Sequence, residues 1–587
     1  MLANTAGWDP KKAFEVFYYA NVNYWVPTSN YIDAACGVLN AAGDLAYDKT
    51  QVDAAFVAVG VVCPMPMLDA DADYMDDNWE TAHGLNPLLN DSSADPDGDG
   101  LSNREEYFAG TDPQNADGDG DGVGDAVDPF PNDADWLGFL SYDSVINKGD
   151  GAKSMAGYSV ASADVDGDGY DDIIVGSPYY DYKYKSSRYP DIGFVAVISG
   201  ATGQALWFNI GSWKGELFGF SVAGTGDLDD DGNADFVIGA PGFSVPNYTT
   251  YTYDKVGKVI AYDVSNVDSV SGQPFEINVF VGRYKGDRFG AAVAGAGDLD
   301  NDGNGDIVIG ASGVDTTDGI NIFKDAGAVF VYEAWSGSTI AEYFNNTGKS
   351  YFGFSVAGIG DITGDGYEDI IAGAPLDDSN GKDSGSVFIL TPVNNGYHSQ
   401  FLQGLTGSHF GASVASAGDV NNDGIPDLLI GYPYGNKGSG GVSVWRGTGS
   451  SATISFDRNI EGVAAKNYSG TSVAGVKDVD GDGKDDILMG SPGVDIFDPL
   501  SGKILVDVGR VQLFSGATGN EIWSATGNAT KDYFGWAVAS GDINKDGAGD
   551  AVIGAKGDDI IGGTTGKPRL VKDVGSVSII NGNASSP

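Results

Sequence analysis

The apolar residues of this chain fall into short runs rather than long helical stripes. Runs such as Val329-Phe-Val-Tyr332 are rich in β-branched and aromatic side chains and read as strands. They recur in a fixed order. A segment of the type F-G-x-S-V-A-G, as in Phe218-Gly-Phe-Ser-Val-Ala-Gly224, precedes a polar acidic loop. An apolar run follows, ending in Gly and often Ala-Pro or Ser-Pro, as in Phe236-Val-Ile-Gly-Ala-Pro241. A Gly-x-Val run comes next, starting at Gly193, Gly257, Gly327, Gly385, Gly440, Gly509 and Gly575. A turn such as Ser199-Gly-Ala-Thr-Gly203 or Ser515-Gly-Ala-Thr-Gly519 then leads into an outer strand, such as Gln204-Ala-Leu-Trp-Phe208. Each period therefore predicts four short strands. Seven periods, 58 to 71 residues apart, predict a mainly β chain. Four-stranded units repeated radially make a β-propeller.

The seventh period stops after Val577-Ser-Ile-Ile580 without an outer strand, while Trp136-Leu-Gly-Phe-Leu-Ser-Tyr142 precedes the first period with no unit to join. The pattern predicts that this leading segment supplies the missing strand and closes the ring, which removes exposed sheet edges.

The N-terminal pattern differs. Phe14, Phe17, Tyr18 and Val22 lie at helical spacing within 11–24. Pro27-Thr-Ser opens a second helix over about 31–46, and Thr50-Gln-Val-Asp53 is a capping box for a third that ends at Val59-Gly60. Three such helices barely bury a core alone. A length of 587 residues suggests about four domains, but seven like units form one architecture. The predicted organisation is a small α-helical segment over 1–63, an acidic spacer over 64–135, and a seven-bladed propeller over 136–587.

Charge sharpens the loops. The formal net charge is −51, from 83 acidic against 32 basic residues, so nucleic acid and anionic membrane are repelled as partners. Hydrophobic residues still make up 42 %, enough for a core. The acids sit at fixed places beside Gly, in nine-residue loops written D-x-[DNT]-x-D-G-x-x-D. Their side-chain oxygens come from Asp164, Asp166, Asp168 and Asp172; Asp227, Asp229, Asp231 and Asp235; Asp298, Asp300, Asp302 and Asp306. The later loops offer Asp361, Thr363, Asp365 and Asp369; Asp419, Asn421, Asp423 and Asp427; Asp478, Asp480, Asp482 and Asp486; Asp542, Asn544, Asp546 and Asp550. Calcium is a hard ion that takes about six to eight oxygens, and the Gly at position 6 permits the turn that aims them inward. Two carboxylates about 4 Å apart repel by about 4 kcal/mol at an effective dielectric of about 20, so such a loop calls for a cation. The ions read as structural staples, with no open position for catalysis.

The spacer carries a second calcium pattern. Asp95, Asp97, Asp99 and Glu106 occupy EF-hand-type ligand positions with Gly100 at the sixth. Asp117, Asp119, Asp121 and Asp128 repeat it, and Asp69 to Glu80 is a degenerate copy with Tyr74 in place of Gly. About seven propeller calcium sites and two or three spacer sites are expected.

The two cysteines, Cys36 and Cys63, read as two buried thiols or as one disulfide. Calcium at these affinities points outside the cell and favours the disulfide, worth about 3–4 kcal/mol on the chain-entropy estimate. No apolar run reaches about 18 residues, so no membrane span is expected. The start has no apolar h-region, so a signal peptide is expected to have been lost by N-terminal truncation.

These motifs meet known families. The F-G…G-A-P frame around D-x-D-x-D-G-x-x-D resembles the FG-GAP repeats of integrin α-subunits and related bacterial proteins. The resemblance implies a seven-bladed propeller with calcium loops on one face. Ligands in all seven units match the bacterial type better and put an integrin-like partner in doubt. The frame W-E-x-x-H-G-L-N-P…D-G-D-G-L-S-N-R-E-E-Y resembles bacterial thrombospondin type 3-like repeats, which implies a calcium-stiffened spacer.

Tyr24-Trp-Val-Pro-Thr-Ser-Asn30, Ala35-Cys-Gly-Val-Leu-Asn-Ala-Ala42 and the run 52–63 resemble the C-terminal end of thermolysin-like zinc metallopeptidases of the vibriolysin and pseudolysin branch. That resemblance supports secretion and the Cys36–Cys63 bridge. The histidines are His83, His398 and His409, and none forms H-E-x-x-H. No zinc and no catalysis are expected of the chain itself, although a peptidase domain upstream would make it an accessory tail. In the propeller family the loops between second and third strands lie opposite the calcium. Tyr180, Tyr182, Tyr184, Tyr248, Tyr251 and Tyr253 are expected to meet an extracellular protein or glycan ligand there, since tyrosine gives contact area at low entropic cost.

Overall fold

The computed structural model describes residues 75, 77–98, 101–109, 111–116, 139–140, 154–184, 187–247, 252–267, 274–283, 285–393, 396–450, 454–498, 503–558, 560–562, 569–571 and 574–581. The helices expected within 7–63, Cys36, Cys63, Asp99, Asp117, Asp119, Asp121 and Asp128 lie outside them. The chain divides into two compact units, Met1–Gly118 and Asp119–Pro587.

In the first unit two short helices are described, Asp77–Ala82 and Asn103–Ala109. Trp79 packs edge-on against Tyr107 with ring centroids 4.9 Å apart and lies 4.3 Å from the His83 ring. Met75, Glu80, Asn103 and Glu106 are buried around this contact. The helices thus join through an aromatic pair that the W-E-x-x-H and E-E-Y motifs supply.

The second unit holds seven four-stranded antiparallel sheets. Blade 1 is Ser159–Ala163, Asp172–Ser177, Phe194–Ile198 and Ala205–Ile210. Blade 2 is Ser221–Gly226, Asp235–Ala240, Lys258–Val267 and Pro274–Val281, and blades 3 to 6 repeat the order. The first strand of every blade lies against the first strand of the next, and that of blade 7 (Phe534–Gly541) lies against that of blade 1. Past their opening Asp the second strands are runs of apolar residues and Gly that are buried along their whole length, for example Asp235–Ala240 and Asp306–Ala311. Seven apolar clusters fill the blades and the spaces between them, such as Trp207, Phe218, Phe236 and Tyr262 between blades 1 and 2.

The F-G-x-S motif is a seam device. The phenylalanine is buried and its backbone bridges the Gly of Gly-x-Val in the preceding blade, as in Gly193↔Phe218, Gly257↔Phe289, Gly327↔Phe352 and Gly385↔Phe410. The serine hydroxyl then donates to a carbonyl of the following blade: Ser159 to Gly219 at 3.0 Å, Ser221 to Gly290 at 2.9 Å and Ser355 to Gly411 at 2.9 Å. Gly239 must be glycine because a Cβ there would strike the Gly290 carbonyl.

The predicted ring closure is present. Phe139–Leu140 pairs antiparallel with Ser576–Ile580, in the register Phe139↔Ser578 and Leu140↔Val577, and becomes the outer strand of blade 7. Ala156 bridges Gly575, and its N–H donates to the Val574 carbonyl at 2.7 Å. Blade 7 is thus built from two stretches of chain some four hundred residues apart, and the ring has no free edge there.

Candidate metal centre

Each acidic loop joins the first strand of its blade to the second, so all seven lie at the same end of the strands. Their internal geometry repeats. The first Asp accepts the N–H of the Gly at position 6 in every loop, from Gly169 to Asp164 at 2.9 Å through Gly547 to Asp542 at 3.0 Å. The fifth-position Asp accepts the N–H of position 7, as in Tyr170 to Asp168 at 2.9 Å and Ala548 to Asp546 at 2.8 Å. The ninth-position Asp is buried and accepts the N–H of position 2, as in Leu228 to Asp235 at 2.6 Å and Val479 to Asp486 at 2.8 Å.

Two residues of each loop carry positive φ, not one. Beside the Gly at position 6, position 4 is left-handed in Asp230 (63°), Asn301 (61°), Asn422 (59°) and Lys545 (60°) as well as in three glycines. Sequence reasoning had a signal for this, because Asn and Asp are the non-glycine residues that best tolerate this region. Lys545 departs from that rule. Its ammonium reaches the Asp168 carbonyl of blade 1 at 2.8 Å and lies over the Tyr170 ring.

The acids converge. Asp164, Asp166 and Asp172 each place an oxygen within 4.8 Å of the others'. So do Asp227, Asp229 and Asp235, then Asp298, Asp300 and Asp302, then Asp478, Asp480 and Asp486. In the loops of blades 4, 5 and 7 the third position is Thr363, Asn421 or Asn544, so fewer carboxylates gather. The Asn421 amide donates to Asp427 at 3.0 Å, which holds it on the buried acid of its own loop.

Burial pushes the ninth-position acids far above the usual carboxylate range: Asp235 and Asp306 to about 8, Asp172, Asp369 and Asp427 to about 7, and Asp486 to about 6. Within this set the loops fall into two kinds. In blades 1, 5 and 6 the other oxygen of the ninth-position acid accepts a glycine N–H from the end of the third strand: Gly200 at 3.0 Å, Gly447 at 3.0 Å and Gly516 at 2.9 Å. Two of these glycines belong to the Ser-Gly-Ala-Thr-Gly turns, and this contact was not legible from the turns alone. In blades 2, 3 and 4 the same place is held by Val264, Ala334 and Pro392, and Oδ1 of Asp235, Asp306 and Asp369 is buried without a hydrogen-bond partner. Asp164 Oδ1, Asp229 Oδ1 and Asp542 Oδ1 are likewise buried and unpaired.

In the spacer, Asp95 accepts the Gly98 N–H at 2.8 Å and the Glu106 carboxylate is buried beside Thr111. Asp97 lies in the same described turn.

At the other end of the strands the expected tyrosines behave differently from one another. Tyr180 does not reach the surface: it packs on Phe194, with centroids 5.4 Å apart, inside the blade 1 core. The turn at Ser177–Tyr180 directs it inward, and the Tyr180 carbonyl accepts the Ile192 and Gly193 N–H groups. Tyr182 is half-buried against the same core. Tyr248 and Tyr251 lie outside the described residues, as do the side chains of Tyr184 and Tyr253. The exposed apolar groups at this end are others: Trp213, Leu405 and Val463 before first strands, and Ile320, Ile322, Phe497 and Ile504 on hairpins between second and third strands.

Near the axis at that end, Lys556 stands where Pro178, Pro241, Pro375, Pro433 and Pro492 close other second strands. Its amine lies over the Trp536 ring, with Tyr533 and Tyr158 centroids at 5.4 and 5.6 Å, and burial pulls its pKa down to about 7. His409 stacks on Tyr434 and is pushed down by burial.

A ring of seven blades, each bridged to its neighbour at the F-G-x-S position or a variant of it and each carrying a buried-acid loop, is the architecture of a propeller of FG-GAP repeats. The comparisons agree. The FG-GAP repeat family matches residues 156–198, 218–259, 352–390, 410–445 and 469–514. The thermolysin metallopeptidase alpha-helical domain matches 1–61, and the bacterial TSP3 repeat matches 95–116. Among curated proteins, integrin alpha-5 of Xenopus laevis is 32 % identical over 38 % of this chain and 20 % of its own length. Integrin alpha-V of Gallus gallus is 33 % identical over 34 % of this chain and 20 % of its own. Integrin alpha-PS2 of Drosophila melanogaster is 31 % identical over 33 % and 14 %. The chain thus spans a fifth or less of the length of these relatives. Blades 3 and 7 fall outside the FG-GAP matches, yet they keep the loop and the four-stranded sheet. Among the described residues no helix is long and apolar enough to cross a membrane.

Proposed function

We propose that this chain is a secreted, calcium-binding propeller that serves as an adhesion or substrate-targeting module, joined through the 64–135 spacer to a remnant of a metallopeptidase over 1–63. The observation that carries the calcium reading is the unpaired oxygen of buried Asp235, Asp306 and Asp369, which in blade 2 gathers with the Asp227 and Asp229 carboxylates. An unsatisfied buried carboxylate oxygen is costly, and a hard divalent cation satisfies it with several oxygens at once. Positions 1, 3, 5 and 9 of each loop would hold that ion, and it would neutralise the loop and fix the turn.

The adhesion reading rests on the opposite end of the strands. There Trp213, Ile320, Ile322, Leu405, Val463, Phe497 and Ile504 stand half or more exposed on loops at one end of the strands, apolar surface that a ligand would cover. The likeness to integrin alpha chains supports it. The test is binding of the whole chain to arrays of extracellular matrix proteins and glycans, in calcium and in chelator. Trp213→Ser with Ile320→Ser and Ile322→Ser should abolish calcium-dependent binding at an unchanged melting temperature. Retained binding refutes this face as the ligand surface.

A second reading has one observation of its own, the metallopeptidase match over 1–61. On it, the chain is the accessory tail of an active zinc endopeptidase. The chain alone should not cleave casein, and chelator-sensitive cleavage by it would overturn both readings.

A further inference from the structure

The seven seams share a backbone geometry but differ in what they present near the axis. The third residue of the F-G-x-S position is Tyr158, Phe220, Ala291, Phe354, Ala412, Thr471 and Trp536 in blades 1 to 7. Blades 7, 1 and 2 adjoin, so three of the large rings form one arc. Tyr158 lies 5.9 Å from Trp536 and 5.0 Å from Phe220, centroid to centroid. Tyr179 and Tyr533 extend the arc, 5.7 Å from Tyr158 and 6.5 Å from Trp536. Phe354 of blade 4, by contrast, stands between blades that carry Ala291 and Ala412.

Lys556 is set into this arc. Its amine lies over Trp536 and faces the Tyr158 and Tyr533 rings. Among the described residues it has no ion pair, and burial is what depresses its pKa. Ring faces attract a cation but bring no charge to neutralise it. A partly desolvated ammonium without a counter-charge is costly, and an anion would relieve that cost. Lys556, Trp536, Tyr158, Phe220 and Tyr533 are each partly exposed, so a ligand at the mouth of the axis can reach them.

The chemistry selects the occupant. One amine balances one negative charge, whereas a phosphate monoester carries up to about two and favours the arginine fork that the arc lacks. Neighbouring aromatic faces with phenol hydroxyls at their rims suit the C–H faces and hydroxyls of a pyranose. An acidic peptide would answer the amine but not the row of rings. We propose that Trp536, Tyr158, Phe220 and Tyr533 form a binding site for an acidic saccharide, with Lys556 meeting a uronate carboxylate. None of these residues belongs to the calcium loops or to the exposed apolar tips, so the inference goes beyond the adhesion reading and does not rest on it.

Calorimetric titration of the whole chain in calcium with a glucuronate trisaccharide tests it, with the glucose trisaccharide as neutral control. The acidic sugar should bind about tenfold or more tightly than the neutral one. Lys556→Gln should erase that advantage, leave the neutral affinity unchanged and melt no lower than the wild type. Trp536→Leu should weaken both sugars, and Phe220→Ala reads the same stacking should Trp536→Leu fail to fold. Raising the pH from about 6 to about 9 should weaken the acidic sugar alone, because the amine is charged only below about 7. The other titratable groups around it are the Tyr158, Tyr179 and Tyr533 phenols, and burial pushes the first two up, away from this range. The Asp532 carboxylate beside Tyr533 is taken by the Asn528 and Ala529 N–H groups.

No binding of either sugar overturns the proposal. So does equal affinity for the two, or an acidic-sugar affinity that Lys556→Gln leaves unchanged. A hexaglutamate peptide that binds through Lys556 while the sugars do not would overturn the saccharide assignment. Loss of the acidic sugar in the variant with Trp213→Ser, Ile320→Ser and Ile322→Ser would place the ligand on the tips and overturn it as well. Retention there, with loss in Lys556→Gln, separates this site from the adhesive tips.

Discussion

The loops of blades 1, 5 and 6 and those of blades 2, 3 and 4 share their turn, their acids at positions 1, 5 and 9, and the N–H groups that those acids accept within the loop. They differ in one backbone N–H. Where Gly200, Gly447 or Gly516 donates it, the ninth-position acid has hydrogen bonds on both oxygens. Where Val264, Ala334 or Pro392 stands instead, one oxygen is left to whatever fills the loop. The same nine-letter pattern therefore encodes two energetic situations. On the proposed calcium reading, the second kind should depend on its cation more than the first.

Chelation should split the two kinds by the largest margin. Each ion at a hundred times its Kd adds about 2.7 kcal/mol, so stripping seven should lower the melting temperature by more than about 10 °C. Hydrogen exchange should then show the second strands of blades 2, 3 and 4 opening before those of blades 1, 5 and 6. Simultaneous opening would erase the distinction.

Substitution at position 9 comes next. In calcium, Asp235→Asn and Asp427→Asn should each cost about 2–3 kcal/mol. In chelator at pH 8, Asp235→Asn should raise the melting temperature by removing a buried charge, whereas Asp427→Asn should change it little. The pH dependence has a definite sign. Burial raises these carboxyls in the folded state above their ordinary value of 3.8, so without cation their contribution is complete below about pH 4 and lost as pH rises. The loss should end near pH 8 for Asp235 and near pH 6 for Asp486. Melting curves of the chelated protein at pH 5 and pH 8 check it, and greater stability at pH 8 would contradict it.

Lys556 offers the opposite sign in the same molecule. Burial holds its folded pKa at about 7, below the ordinary 10.5, so its penalty is full below pH 7 and fades toward pH 10.5. Lys556→Pro, which restores the residue of the other blades, should raise the melting temperature at pH 6 more than at pH 10. The smallest effect belongs to the seams. Ser221→Ala should cost about 1 kcal/mol, while Ala292→Ser in blade 3, which lacks the hydroxyl, should gain less than that.

The ring was legible because its signals are local and repeated. F-G-x-S, Gly-x-Val and the acid loop each mark a strand end, and even the donated strand at 139–140 followed from a missing partner. The loops were legible as far as their ligand letters. Which of them carry an extra donor depends on the end of a third strand that lies about 30 residues from the loop in sequence but beside it in the sheet. The tyrosine expectation failed at Tyr180 for a related reason. A composition count cannot tell the inward residue of a turn from the outward one.

Blade 7 has a consequence for the order of events during synthesis. Phe139–Leu140 leaves the ribosome first among the ring's strands and must wait, unpaired, until residues 576–580 arrive. The six sequential blades can form as they emerge, but the ring cannot shut until the strand Ser576–Ile580 has been made. A product that stops before Ser576 would leave an open arc with bare edge strands, so the fold itself registers the loss of that strand.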